Sequence, residues 1–106
     1  MSSNDQPITV VITCTLKSDQ IETAKHDLQA IIEVVMKNEP ACHGIRVHDD
    51  PKDPRRLFIV EQWESEAIFT GPHMQTPHMQ AFMKKAEAWV DGPTQFAFWR
   101  QILATS

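Results

Sequence analysis

The segment Arg56–Trp63 (RLFIVEQW) constrains this chain more than any other stretch. Its β-branched and aromatic residues read as a strand, on which successive side chains face opposite sides. Leu57 and Ile59 then share one face, and Phe58 and Val60 the other. A sheet with one wet face alternates between apolar and polar residues, and this strand does not. The same holds for Ile8–Leu16 (ITVVITCTL), where Val11 stands between Val10 and Ile12. It holds again for Thr94–Leu103 (TQFAFWRQIL), where Phe96 and Phe98 oppose Ala97, Trp99 and Leu103. Such strands build a sheet that needs a cover on both faces.

One cover is encoded in the chain. Ile21, Ala24, Leu28, Ile31, Ile32 and Val35 recur at helical spacing, with Glu22, Lys25, Gln29, Glu33 and Lys37 opposite. Asp19 is the expected N-cap, with Glu22 completing a capping box, and the helix should end near Asn38 before Pro40. Cys42–Asp49 reads as a second strand, and Asp50-Pro51-Lys52-Asp53-Pro54 as the turn into the third. Ser65 can cap a short helix over Glu66–Thr70, which Gly71-Pro72 should stop or kink. Thr76-Pro77 opens another helix in the favoured order of cap and first-turn proline. Met79, Phe82, Met83, Ala86, Trp89 and Val90 form its stripe, and Gly92-Pro93 should close it. The order β-α-β-β-α-β predicts an α+β, ferredoxin-like split βαβ fold with an antiparallel sheet.

With 106 residues the chain holds one core, a single domain over 1–106 whose polar residues 1–6 are expected to be a flexible N-terminus. The second cover must therefore come from outside, and a symmetric copy of the same chain is the commonest solution. The plainer alternative is a monomer with scattered exposed apolar residues. A net charge of −4 without a basic block argues against nucleic acid and membrane surfaces as partners. No apolar run has the length of a membrane span, and the N-terminus lacks the basic-then-apolar order of a signal peptide, so a cytoplasmic location is expected. Cys14 and Cys42 fall in or beside strands and read as small hydrophobes rather than as metal ligands or a reactive thiol.

Among the five histidines, His26 lies beside charged residues on the first helix, and His43 and His48 bracket the second strand on opposite faces. His73 and His78 are the functional candidates, because both lie where the chain bends into the last helix. His78 stands near that helix's N-terminus, where the helix dipole disfavours an imidazolium and suits a neutral base. Alternatively it binds a backbone group and fixes the bend. The pair's five-residue separation across a Thr-Pro break is poor metal-ligand spacing, so no metal is expected. Glu61 and Trp63 share a strand face, and a carboxylate, an indole and two histidines around one cavity would make a small-molecule site. Trp63 alone reads more simply as a core residue. No glycine-rich phosphate loop, nucleophile elbow or zinc signature is present.

Four segments carry a resemblance to the antibiotic biosynthesis monooxygenase superfamily. Asn38-Glu39-Pro40-Ala41-Cys42 resembles its Glu-Pro-Gly-Cys approach to the second strand, and Asp50-Pro51-Lys52-Asp53-Pro54 its Asp-Pro-x-Asp-Pro turn. Glu61-Gln62-Trp63-Glu64-Ser65 is similar to its Glu-x-Trp-x-Ser strand end, and the run from His73 to Phe82 to its His-x-x-Thr-Pro-His-x-x-x-Phe element. The resemblance implies a dimeric α/β barrel. It also implies a cofactor-independent monooxygenase that deprotonates a quinol-like or polycyclic aromatic substrate in a dry pocket and lets the anion react with dioxygen. Carried over, His78 or His73 would take the proton, with His78 preferred because Pro72 makes the aim of His73 uncertain. Trp63, Phe82 and Phe69 would wall the ring, and Ile12 and Glu61 would complete the substrate-binding set. The heme-degrading branch pairs a first-strand asparagine with a histidine on the last helix. Ile12 and Thr13 occupy the first strand here and no histidine follows His78, so heme is not expected.

Two other functions fit the same residues. An isomerase or lyase acting on a small metabolite, phosphorylated or not, would use two histidines to move a proton between carbons, and to hold a phosphate needs a basic pocket drawn from Arg46, Arg56 or Arg100. A non-catalytic dimeric binding protein would need neither histidine.

Overall fold

A computed structural model describes residues 5–105. Most of the expected flexible N-terminal segment lies outside them. The elements run β1 (Ile8–Thr15), α1 (Ile21–Asn38), β2 (Cys42–Asp50), β3 (Asp53–Trp63), α2 (Glu66–Ile68), α3 (Pro77–Ala86) and β4 (Gln95–Trp99). α2 runs directly into a wide π-type turn over Phe69–His73. The strands form one antiparallel sheet in the order β2-β3-β1-β4, the ferredoxin-like α+β architecture.

Register separates the two faces. Val10 lies opposite Glu61 and Phe98, Ile12 opposite Ile59 and Phe96, and Cys14 opposite Leu57. This face is covered by α1, which buries Ala24, Leu28 and Val35, and by the segment from α2 to α3. Val10, Leu57, Ile59 and Trp63 are buried beneath them. The opposite face carries Val11, Phe58, Val60, Ala97 and Trp99, with Phe58 47% and Trp99 62% exposed.

Several element ends differ from expectation, some through local turns and some through tertiary contacts. The N-cap of α1 is Gln20, without a side-chain cap bond, because Gln20 N–H donates to Lys17 O (3.0 Å) and Asp19 is taken up in that turn. The β2–β3 turn is shorter than five residues: Asp50 pairs with Asp53 and only Pro51-Lys52 connect them. Pro54 falls inside β3 where the pairing to β2 is irregular, a position that tolerates a missing N–H. Gly71-Pro72 neither stops nor sharply kinks the chain but widens it into the π-type turn.

α3 ends at Ala86, so Trp89 and Val90 lie beyond it. Val90 bridges Leu16, Lys17 N–H donates to Trp89 O (2.9 Å), and Asp91 N–H donates to Thr15 O (2.7 Å). The end of β1 thus pulls those two residues off the helix. Gly92, at φ 89°, serves the following loop rather than the helix C-cap. β4 is only Gln95–Trp99, not Thr94–Leu103. Trp99 pairs with Thr9, and two residues further Pro7 has no N–H for the ladder, leaving Ile102 and Leu103 exposed.

Candidate active site

The site begins at the C-terminus of α1. Glu39 caps the helix with its own N–H on Val35 O (2.8 Å), and Pro40 forbids another turn. Cys42 N–H then donates to Glu39 O (3.0 Å), so the Glu39 backbone is held on both sides. From the other direction comes the chain between β3 and α3. The Ser65 hydroxyl accepts from Ile68 N–H (3.1 Å) to start α2. Pro72 has no N–H to donate, the ladder widens around it, and His73 ends the wide turn with a side chain only 3% exposed. Thr76 donates its hydroxyl to His73 O (2.8 Å) and accepts from Met79 N–H (3.2 Å), and Pro77 sits in the first turn of α3. His78 follows in that turn.

Both histidines meet Glu39. His73 Nδ1–H donates to the two carboxylate oxygens at 2.9 and 3.0 Å, and His78 Nε2–H donates to Oε2 at 2.6 Å. A carboxylate accepts and cannot donate, so these contacts place a proton on Nδ1 of His73 and on Nε2 of His78. Nε2 of His73 has no protein partner among the described residues. Burial holds the His73 imidazole below the ordinary histidine range; Glu39 opposes this and His78 adds to it. A neutral imidazole with Nδ1 pinned and Nε2 free is the arrangement of a general base.

The His73 ring packs on Trp63 (centroids 4.3 Å apart) and Phe69 (5.2 Å). Trp63 Nε1–H donates to Glu61 Oε1 (2.8 Å). Burial pushes the Glu61 carboxyl up, the Trp63 bond lowers it and the Glu39 charge raises it further.

His73 and Glu61 open onto a cavity of about 340 Å³ between the sheet and the helices. This is within the range of about 300–1,000 Å³ common for small-molecule pockets. Its walls are almost wholly apolar, drawn from Ile12, Phe69, Met79, Phe82, Met83 and Phe96 among others. At the far end the Trp89 indole lines it, fixed by Nε1–H to Asp27 Oδ2 (3.0 Å).

Of the residues singled out in the sequence, His73, Glu61, Phe69, Phe82 and Ile12 therefore line one cavity. Trp63 and His78 do not: Trp63 lies behind His73 and Glu61, and His78 lies behind Glu39. His43 instead lies 3.6 Å from Glu64, and the His48 ring is 3.2 Å from Phe58 O, both away from the site. No arginine or lysine lines the cavity among the described residues; Arg56 pairs with Asp50, and Arg46 and Arg100 are exposed. Burial raises both thiols, Cys42 to about 11, so neither is a thiolate at neutral pH. Glu39 is the residue that sequence reasoning missed as a site residue.

Known proteins share this fold. A protein from Nitrosomonas europaea, provisionally assigned as an antibiotic biosynthesis monooxygenase, is similar over 100% of both chains at 16% identity (TM-score 0.85). A conserved protein from Methanosarcina mazei matches 93% of this chain and 96% of its own at 20% identity (TM-score 0.81). PA3566 from Pseudomonas aeruginosa matches 96% and 100% at 22% identity (TM-score 0.80). At these identities the likeness concerns the fold. No curated protein matches the chain at a significant level. The sequence model of the family described as antibiotic biosynthesis monooxygenase matches residues 7–85, most of the sheet and all but the last residue of the three helices. The chain belongs to the antibiotic biosynthesis monooxygenase family.

Proposed function

We propose that this protein is a cofactor-independent monooxygenase, acting as a cytoplasmic homodimer on a quinol-like or polycyclic aromatic small molecule. The observation that carries this reading is His73: a buried neutral imidazole on the wall of an apolar cavity, Nδ1 tied to Glu39 and Nε2 free. In the reaction Nε2 removes a proton from a phenol, or from a ring-flanked CH₂ group. The electron-rich carbon of the resulting anion bonds to dioxygen and reduces it to a peroxide. The proton held by His73 goes to the outer peroxide oxygen. For a CH₂ group, loss of the remaining C–H proton with cleavage of the O–O bond then yields a carbonyl and water. One molecule of substrate and one of dioxygen balance without flavin, metal or external reductant. Apolar walls exclude water from the anion, and Glu39 offsets the imidazolium charge.

The isomerase reading needs arginine or lysine to hold a phosphate, and the lining has neither among the described residues. Dimerisation is supported by the apolar outer face of the sheet, where a second copy would supply the missing cover.

Oxygen uptake with a panel of quinols and anthrones tests the function. Uptake is expected with at least one aromatic substrate, and His73→Ala should lower its rate by about two to four orders of magnitude, the usual contribution of a general base. No substrate-dependent uptake, or uptake unchanged in His73→Ala, would overturn the assignment and favour a binding protein.

A further inference from the structure

Two of the buried polar side chains among the described residues line the cavity, His73 and Glu61, and the reaction above uses only the first. Glu61 is 9% exposed, and its register neighbours are Val10 on β1 and Ile45 on β2, both apolar. Trp63 Nε1–H occupies Oε1 (2.8 Å). Oε2 has no protein partner among the described residues and is open to the cavity. The His73 ring rests on the same indole, so both groups act at one end of the cavity.

We propose that Glu61 is a catalytic residue, a neutral carboxylic acid whose Oε2–H donates to the substrate oxygen that becomes negative when His73 removes the proton. This rests on His73 being the base. The substrate class it fits is an aromatic ketone with an acidic CH₂ group conjugated to the carbonyl, as in an anthrone. The C–H bond breaks, the Nε2–H bond of His73 forms, and the electron pair spreads onto the carbonyl oxygen, where Oε2–H meets it. Glu61 keeps its own proton. Because the proton moves within the site, the total charge is unchanged: the new imidazolium lies against Glu39 and the new enolate against Glu61. When the anion carbon bonds to dioxygen, the carbonyl re-forms.

The surroundings of Glu61 favour the acid over the carboxylate. No arginine or lysine lines the cavity among the described residues, and no contact joins Glu61 to either histidine. The charge at the end of α1, on Glu39, disfavours a second anion beside it, and an enolate in the cavity would disfavour it further. Burial raises the Glu61 pKa, outweighing the Trp63 bond, and Glu39 adds to the rise. Cys14 on β1 and Cys42 on β2 keep their thiol protons, and Glu87, beyond α3, is exposed. With Oε1 accepting from Trp63, the free oxygen is the one left to carry the proton. A carboxyl held neutral by an apolar site is a hydrogen-bond donor aimed at developing charge.

The test uses anthraquinone, a ketone with no acidic proton, its carbonyl carbon labelled with carbon-13, and infrared difference spectra at neutral pH. Binding to the wild type should lower the ketone band from its position in hydrocarbon solvent. It should also shift the band of an un-ionised carboxyl that is missing in Glu61→Gln. Glu61→Gln, whose amide can make both contacts, should keep the ketone shift, and Glu61→Leu should abolish it. An unshifted ketone or no carboxyl band in the wild type, a shift kept in Glu61→Leu, or failure to bind the ketone overturns the proposal. The wild-type and Glu61→Gln spectra decide the matter even if Glu61→Leu does not fold.

Oxygen uptake with anthrone separates this proposal from the base assignment. Glu61→Leu should slow uptake about a hundred- to a thousandfold, the usual loss of one such donor, and Glu61→Gln should lose less. A shifted ketone in a protein that takes up no oxygen supports the donor and refutes the oxygenase reading for this substrate. Uptake that depends on His73 but is equal in wild type and Glu61→Leu refutes the donor and leaves the base standing.

Discussion

Two buried titratable side chains, Glu61 and His73, link the site to stability with opposite pH dependences. Burial raises the Glu61 pKa in the folded state. The fold therefore prefers the protonated carboxyl, and stability falls as pH rises from the unfolded value towards the folded one, staying low above it. Glu61→Gln keeps an oxygen for Trp63 Nε1–H without the ionisation. Its melting temperature relative to wild type should climb between acidic and neutral pH, and a constant difference would contradict the account. The His73 pKa is depressed, so its contribution is complete above the unfolded histidine value of 6.5 and is lost as pH falls towards the folded one. His73→Gln should remove that part of the acid destabilisation, read by denaturant titration at a series of pH values. The two histidines were visible in the sequence because a Thr-Pro helix start fixes their neighbourhood. Glu39 was not, since its partners lie 34 and 39 residues away and no local spacing reports such a contact. Its only signal was its place in the Glu-Pro-x-Cys segment at the end of an apolar helix.

At the scale of elements, α3 illustrates how local chemistry aims a site. Its apolar residues Met79, Phe82 and Ala86 pack on the core without any of them being fully buried, so its start matters to its stability. Thr76 both caps the helix and holds the His73 carbonyl. Thr76→Ala should cost about 1 kcal/mol, the usual loss of a cap. It should also lower turnover more than Thr70→Ala, whose hydroxyl bonds only Glu66 O. Equal kinetic effects in steady-state assays would argue against a positioning role. The same contrast explains which elements could be read in advance. β-branched and aromatic runs identified the strands, helical stripes identified α1 and α3, and the caps at Ser65 and Thr76 came out as expected. Ends failed where distant chain intervened: the Leu16–Val90 bridge shortens α3, and Pro7 stops β4. The π-type turn could not be foreseen, because Gly-Pro announces a break in the α ladder without saying how the chain continues.

For the molecule as a whole, the two apolar faces of the sheet have unequal fates. One face encloses the cavity; the other presents Phe58, Val60 and Trp99 without a cover among the described residues. Trp99→Asp combined with Phe58→Asp should shift sedimentation from dimer to monomer while circular dichroism stays native. An unchanged sedimentation coefficient would refute dimerisation through this face. The reaction itself is tested most directly by isotope-labelled dioxygen. Mass spectrometry of the product from an oxidised quinol or anthrone, with metal chelated and no flavin added, should show one labelled oxygen atom in the organic product, and His73→Ala should abolish the labelled species. Product carrying no label, or labelled product formed equally well without His73, would contradict the account.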